Sequence, residues 1–144
     1  MGVKEYLERV GKLKSVIVLK SRQLEYMEAS ASELKAVNYD SVKVSKTAST
    51  NAAFEDMIEC IENLREELNA DIRELGILKS DIVSMLNMMK NTTYSQVLFF
   101  KYVELKNYAE LCGIMGYCES YIRALHSRAV KAFEKIYMQY KEAG

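Results

Sequence analysis

Three basic side chains near the end of the chain, Arg123, Arg128 and Lys131, carry the most specific chemistry the sequence offers. Arg123 can present a planar fork to a guanine edge or a phosphate, and Arg128, Lys131 and Lys135 are spaced to follow a phosphate backbone. Catalytic groupings are missing. His126 is the only histidine and has no acid–base partner at a convincing spacing, so a structural or phosphate-contacting role is expected. Cys60, Cys112 and Cys118 are odd in number and lack a C-x-x-C spacing, so neither a disulfide framework nor a zinc site is expected. Without a glycine-rich phosphate loop or a Ser-His-Asp order, the chain reads as no enzyme, with no cofactor.

Those residues need helices to hold them. Proline is absent and glycine numbers only six among 144 residues, while 49% are hydrophobic and 28% charged. The fold class expected is all-α: a long two-helix coiled-coil hairpin over residues 1–91, then a small C-terminal helix-turn-helix bundle over 92–144. In the first segment Val3, Tyr6, Val10, Leu13, Ile17, Leu24, Met27, Ala31 and Leu34 follow a heptad seam, with Lys20 as its exception. The second repeats it through Phe54, Met57, Ile61, Leu64, Leu68, Leu75, Leu78, Ile82, Met85 and Met89, with Asp71 as the exception. Between them AVNYDSVKVSKTAST, residues 36–50, loses the spacing and is expected to be a mobile loop. The second helix should begin near Ser49, Thr50 and Asn51 and end near Asn91 and Thr92.

A lone pair of such helices buries little area, so a homodimer is expected through Ile58, Ile72, Ile77, Leu86 and Met88; the alternative is that these residues pack on the C-terminal domain. Net charge is zero overall. Residues 1–91 carry 13 Lys/Arg against 15 Asp/Glu, and residues 92–144 carry 7 against 5, a mild basic bias toward the C-terminus. The N-terminal MGVKEYLERVGKLKS lacks the apolar core of a signal peptide, no stretch reaches a membrane span, and three cysteines without a disulfide framework lead us to expect a reducing, cytoplasmic setting.

After residue 91 three shorter segments are expected: 93–103, 107–115 and 118–140. Asn107 is the natural N-cap of the middle one, with Tyr108, Leu111, Cys112 and Met115 on its apolar face and Gly116 where the chain turns. The third should bury Tyr117, Ile122, Leu125, Ala129 and Phe133, leaving Glu119, Ser120, Tyr121, Arg123, Ala124, Ser127, Arg128 and Lys131 on its other sides. A helix, a tight glycine-containing turn and a second helix match the geometry that sets one helix across a phosphate backbone and the next in the major groove.

The run YSQVLFFKYVELKNYAELCGIMGYCESYIRALHSRAVKAFEKI resembles region 4 of bacterial sigma factors. It is more similar still to small phage-encoded helix-turn-helix regulators of the late-gene or autolysin-regulatory-protein type, from phages of Gram-positive bacteria. The resemblance rests on Tyr102-Val103-Glu104, Tyr108, Leu111-Cys112, Gly116-Tyr117-Cys118, Ile122, Leu125-His126 and Ala129-Val130. It implies transcription control in the bacterial host cell by binding double-stranded promoter DNA, with host RNA polymerase as a further partner. It places Glu119, Ser120, Arg123 and Ala124 toward the bases, with Tyr121 and Arg128 flanking. Cys118 stands where that family usually caps the second helix with Ser or Thr. Glu119 stands where a basic residue is frequent, and can accept from a cytosine amino group. The alternatives are a protein-interaction module that never touches DNA, and a DNA-packaging recognition subunit.

Overall fold

A computed structural model describes the backbone of residues 2–40 and 47–143 and the side chains of 2–36 and 51–143. Among the described residues the chain is all-helical. Two long helices, α1 (Val3–Asp40) and α2 (Thr47–Asn87), precede α3 (Thr92–Leu98), a π-helical turn (Phe99–Val103), α4 (Tyr108–Met115) and α5 (Glu119–Ala143). The long helices overrun the expected connection at both ends, since 36–40 and 47–50 are helical. The loop expected over 36–50 is therefore contradicted there, and its remainder, 41–46, lies outside the described residues. Ser, Thr and Asn weaken a helix by only tenths of a kcal/mol each, so they do not by themselves stop one. The second helix also ends earlier than expected, at Asn87, because Asn91 serves the next helix: its side chain accepts the Tyr94 amide at 3.2 Å as the N-cap of α3.

The chain divides into two compact units, residues 15–74 and residues 1–14 with 75–144. In the first, α1 and α2 lie antiparallel, since Lys20 meets Asp71 at 2.6 Å while Glu28 meets Arg65 at 2.7 Å. Lys20 and Asp71, the two exceptions in the heptads, are thus each other's partners. The hydrogen bond from its ammonium to Asp71 raises the Lys20 pKa above its ordinary value. Glu67 joins the pair at 3.6 Å from the Lys20 ammonium, and such an ion cluster inside an apolar seam contributes register more than stability, because any slip would leave charges against hydrocarbon.

The second unit holds the larger core. Val3, Tyr6, Leu7 and Val10 of α1 and Leu78, Ile82, Met85 and Leu86 of α2 pack with Leu98, Tyr102, Ala129, Phe133 and Tyr137. These are positions three and four apart on each helix, so one stripe per helix faces inward. Each fully buried Leu or Ile stabilises by about 1.5–3 kcal/mol. Leu86, expected on a dimer face, is only 3% exposed and belongs to this core, as the alternative reading had it; Ile72, Ile77 and Met88 are exposed. α3 and α4 both pack on α5. At the far end of α5 the Tyr140 hydroxyl donates to Asp81 of α2 at 3.2 Å.

Candidate functional site

The link before α4 begins with a widened turn. Glu104 N–H donates to Phe99 at 3.0 Å, the i+5 spacing of a π-helix, and the following Leu105 has a left-handed φ of 60°. A left-handed Leu costs about 1–2 kcal/mol. Its side chain packs over Gly11, where an added Cβ would lie 3.4 Å from it. The consecutive aromatics Phe99, Phe100 and Tyr102 fit no 3–4 spacing, and this was the only sequence signal for the wide turn.

Asn107 then caps α4 as expected, its side chain accepting the Glu110 amide at 2.8 Å while Glu110 returns a bond to the Asn107 amide. Gly116 closes the helix at φ 75°, with its N–H on the Cys112 carbonyl at 2.9 Å. No heavy atom lies within 4 Å of a Cβ built at Gly116, so backbone strain alone opposes a side chain there. Gly116→Ala is expected to cost about 1–2 kcal/mol and Gly116→Asn appreciably less, read from chemical denaturation midpoints; equal costs would refute the left-handed assignment.

Cys118 immediately precedes α5. Its Sγ lies 3.4 Å from the Ser120 hydroxyl. Hydrogen bonds from Ser120 and from the Tyr121 backbone N–H hold the thiol below its ordinary range.

On α5 the buried face is Ile122, Leu125, His126, Ala129, Phe133 and Tyr137. Tyr117, expected in the core, instead precedes the helix at 41% exposure and packs edge-on against Tyr121, ring centroids 4.8 Å apart. His126 and Tyr137 take the places that the sequence reading left empty. Opposite this face run Ser120, Ala124, Ser127 and Lys131, spaced four, three and four, with Arg128 and Lys135 alongside. All are exposed except the half-buried Ala124. Small side chains over the first turns let the helix backbone approach a surface closely, and the cations follow further along. Arg128, Lys131 and Lys135 form no ion pair among the described residues.

Arg123 and Glu119, both expected to face a ligand, are turned on each other. The guanidinium donates to the Glu119 carboxylate at 2.8 Å and lies 4.3 Å above the centre of the Tyr108 ring. Lys101 sits 4.2 Å from that same ring centre, so Tyr108 carries two cations. Burial, with Lys4 and Arg123 nearby, holds the Lys101 ammonium below its ordinary pKa. Beneath this layer His126 is 7% exposed, with the Tyr102 hydroxyl 2.5 Å from Nε2 and the Tyr108 hydroxyl 3.3 Å from Nδ1. Burial first, then Lys101 and Lys4, push its pKa down to about 4, so the ring is neutral at pH 7. A neutral imidazole has one N–H and one lone pair, so one tyrosine donates to it and the other accepts. Burial pushes the Tyr102 phenol well above its usual range, which keeps that hydroxyl protonated.

Among the described residues no group of His, Cys, Asp and Glu is placed to hold a metal ion, and no helix is long and apolar enough to cross a membrane. What the arrangement can do is present an exposed helix face, small at one end and cationic at the other, on a rigidly capped support. Comparison with family models, with curated proteins and with solved structures gives no match to this chain.

Proposed function

We propose that the chain is a transcriptional regulator of the phage or prophage type that binds double-stranded promoter DNA. In this reading α4, the 116–118 link and α5 form a sigma region 4-like helix-turn-helix, with α5 as the recognition helix. The observation that carries it is the outward ridge of Ser120, Ala124, Ser127 and Lys131, flanked by Arg128 and Lys135 and opposite the buried face. Small residues followed by cations allow close approach to base edges and anchorage on phosphates. Glu119 and Tyr121 border the ridge, and Arg123 reaches the DNA by exchanging Glu119 for a phosphate; an exposed i,i+4 pair of this kind is worth only about 0.3–0.5 kcal/mol. The long helices serve self-association or contact with host RNA polymerase as a coiled-coil hairpin.

Fluorescence anisotropy with a mixed-sequence duplex of about thirty base pairs, titrated over a salt series, tests the reading. The logarithm of the binding constant should fall linearly with the logarithm of salt concentration. The Arg128→Ala, Lys131→Ala double variant should flatten that slope by about 2 and weaken binding at least about tenfold at low salt. Unchanged binding by a folded double variant would remove α5 from the interface.

A second reading has its own observation. Ile114, Tyr117 and Tyr121 stand exposed around the link, an apolar cluster that suits a protein partner. Absence of duplex binding at low salt favours that reading.

A further inference from the structure

Residues 15–74 bury few apolar side chains fully and leave several large ones exposed. Among the described side chains of this unit only Ala31 and Ile61 are buried hydrophobics, and the Lys20–Asp71 ion pair occupies a seam position. Val16, Leu19 and Tyr26 meanwhile stand 40%, 56% and 71% exposed. With Gln23 and Ser30 they fall at gaps of three, four, three and four, a second stripe along α1 beside the one that meets α2. Tyr26 and Gln23 also edge an open groove floored by Met27 and Leu64 and reaching Cys60. Two antiparallel helices with so little buried core are well short of what a helical bundle needs; four supply it.

We propose that this stripe docks on the same stripe of a second copy of the chain, giving a two-fold symmetric antiparallel dimer of helical pairs. Charge selects α1 as the meeting face. Residues 15–36 hold three basic and three acidic side chains, whereas residues 51–74 hold eight acidic and two basic, so two α2 helices would repel where two α1 helices do not. Size is complementary as well. An antiparallel crossing that sets Leu19 on the partner's Gln23 also sets the large Tyr26 on the partner's small Val16, and the two-fold repeats both contacts. Gln23, polar within an apolar stripe, penalises other registers. The proposal deepens the self-association half of the reading above and does not depend on DNA binding.

Light scattering on the full chain at tens of micromolar should give twice the 16.5 kDa chain mass. The Leu19→Asp, Tyr26→Asp double variant should give the single-chain mass. Val18→Asp, at a similarly exposed site about 100° around α1 from Leu19 and outside the stripe, should remain dimeric. A monomeric wild type, which would leave the stripe to a different partner, overturns the proposal. So does a dimeric double variant, or equal disruption by Val18→Asp. Since the double variant could lose the fold of this segment, the wild-type melting midpoint is measured against concentration. It should rise with concentration, and a constant midpoint overturns the proposal without any variant. Loss of DNA binding in the Arg128→Ala, Lys131→Ala variant should leave the mass unchanged, which separates the two readings.

Discussion

Phe133→Ala is expected to destabilise the unit formed by residues 1–14 and 75–144 by about 3–5 kcal/mol, the range for emptying a buried phenylalanine site. Phe133 has no exposed surface and is the largest fully buried side chain among the described residues. It stacks on Tyr137, ring centroids 6.4 Å apart, and Tyr137 in turn lies 4.7 Å from the Tyr6 ring of α1. The lost ring therefore leaves a cavity in a core shared by α1, α2, α3 and α5, which cannot close around it cheaply. A domain of this kind holds about 5–15 kcal/mol in all, so the variant should sit near the edge of unfolding. Chemical denaturation followed by circular dichroism measures the change, with Tyr121→Ala as the exposed aromatic control, expected within about 1 kcal/mol of wild type. A loss below about 1 kcal/mol for Phe133→Ala would show that the α5 core face is wrongly assigned.

Acid should weaken the same unit through His126. Its folded-state pKa lies at about 4 and its ordinary value is 6.5. Above pH 6.5 the ring is neutral in both states, so pH has no effect through this group. As pH falls from 6.5 toward 4 the unfolded chain takes a proton that the fold refuses, and stability declines across that window by roughly 3 kcal/mol in total. Below the folded-state value both states are protonated and the loss is complete. The cause is the surroundings: an imidazolium would be enclosed between Tyr102 and Tyr108 and would face Lys101 and Lys4. Carboxylates titrate in the lower part of the same range, so the informative quantity is the difference between wild type and His126→Gln. That variant should be less stable at neutral pH by about 1–3 kcal/mol, for the disturbed buried hydrogen bonds, and should show a shallower acid slope. As the only histidine, His126 also gives a single set of imidazole resonances. Their midpoint read by NMR at or above 6.5 would contradict the enclosed, neutral ring.

How far the sequence reached differs from element to element. Spacing within one helix was legible, because a helix turns by a fixed angle per residue whatever packs against it. The heptads of α1 and α2, the Asn107 cap with Glu110 three residues on, the Gly116 turn and most of the buried face of α5 were all read in this way. Ends were less legible. The extent of α1 and α2 into 36–50 depends on weak propensities, and Asn91 could be read equally as the last residue of one helix or the cap of the next.

Partnerships between helices were not legible, since nothing in a single heptad says which face will oppose it. Lys20 and Asp71 each broke a seam, and only the antiparallel register, 51 residues apart in sequence, made one ion pair of two defects. Leu86 read as spare apolar surface, yet it belongs to the core of the unit formed by residues 1–14 and 75–144. The placement of Arg123 was decided in the same way. Its position on the exposed part of α5 followed from periodicity, but its pairing with Glu119 and its seat on Tyr108 required α4 to lie where the widened turn and left-handed Leu105 put it. The sequence by itself determined an all-helical chain and a cationic ridge on its last helix, because both follow from helical repeat alone. Tertiary structure decided which of those charges stay free, because that depends on side chains brought together from distant helices.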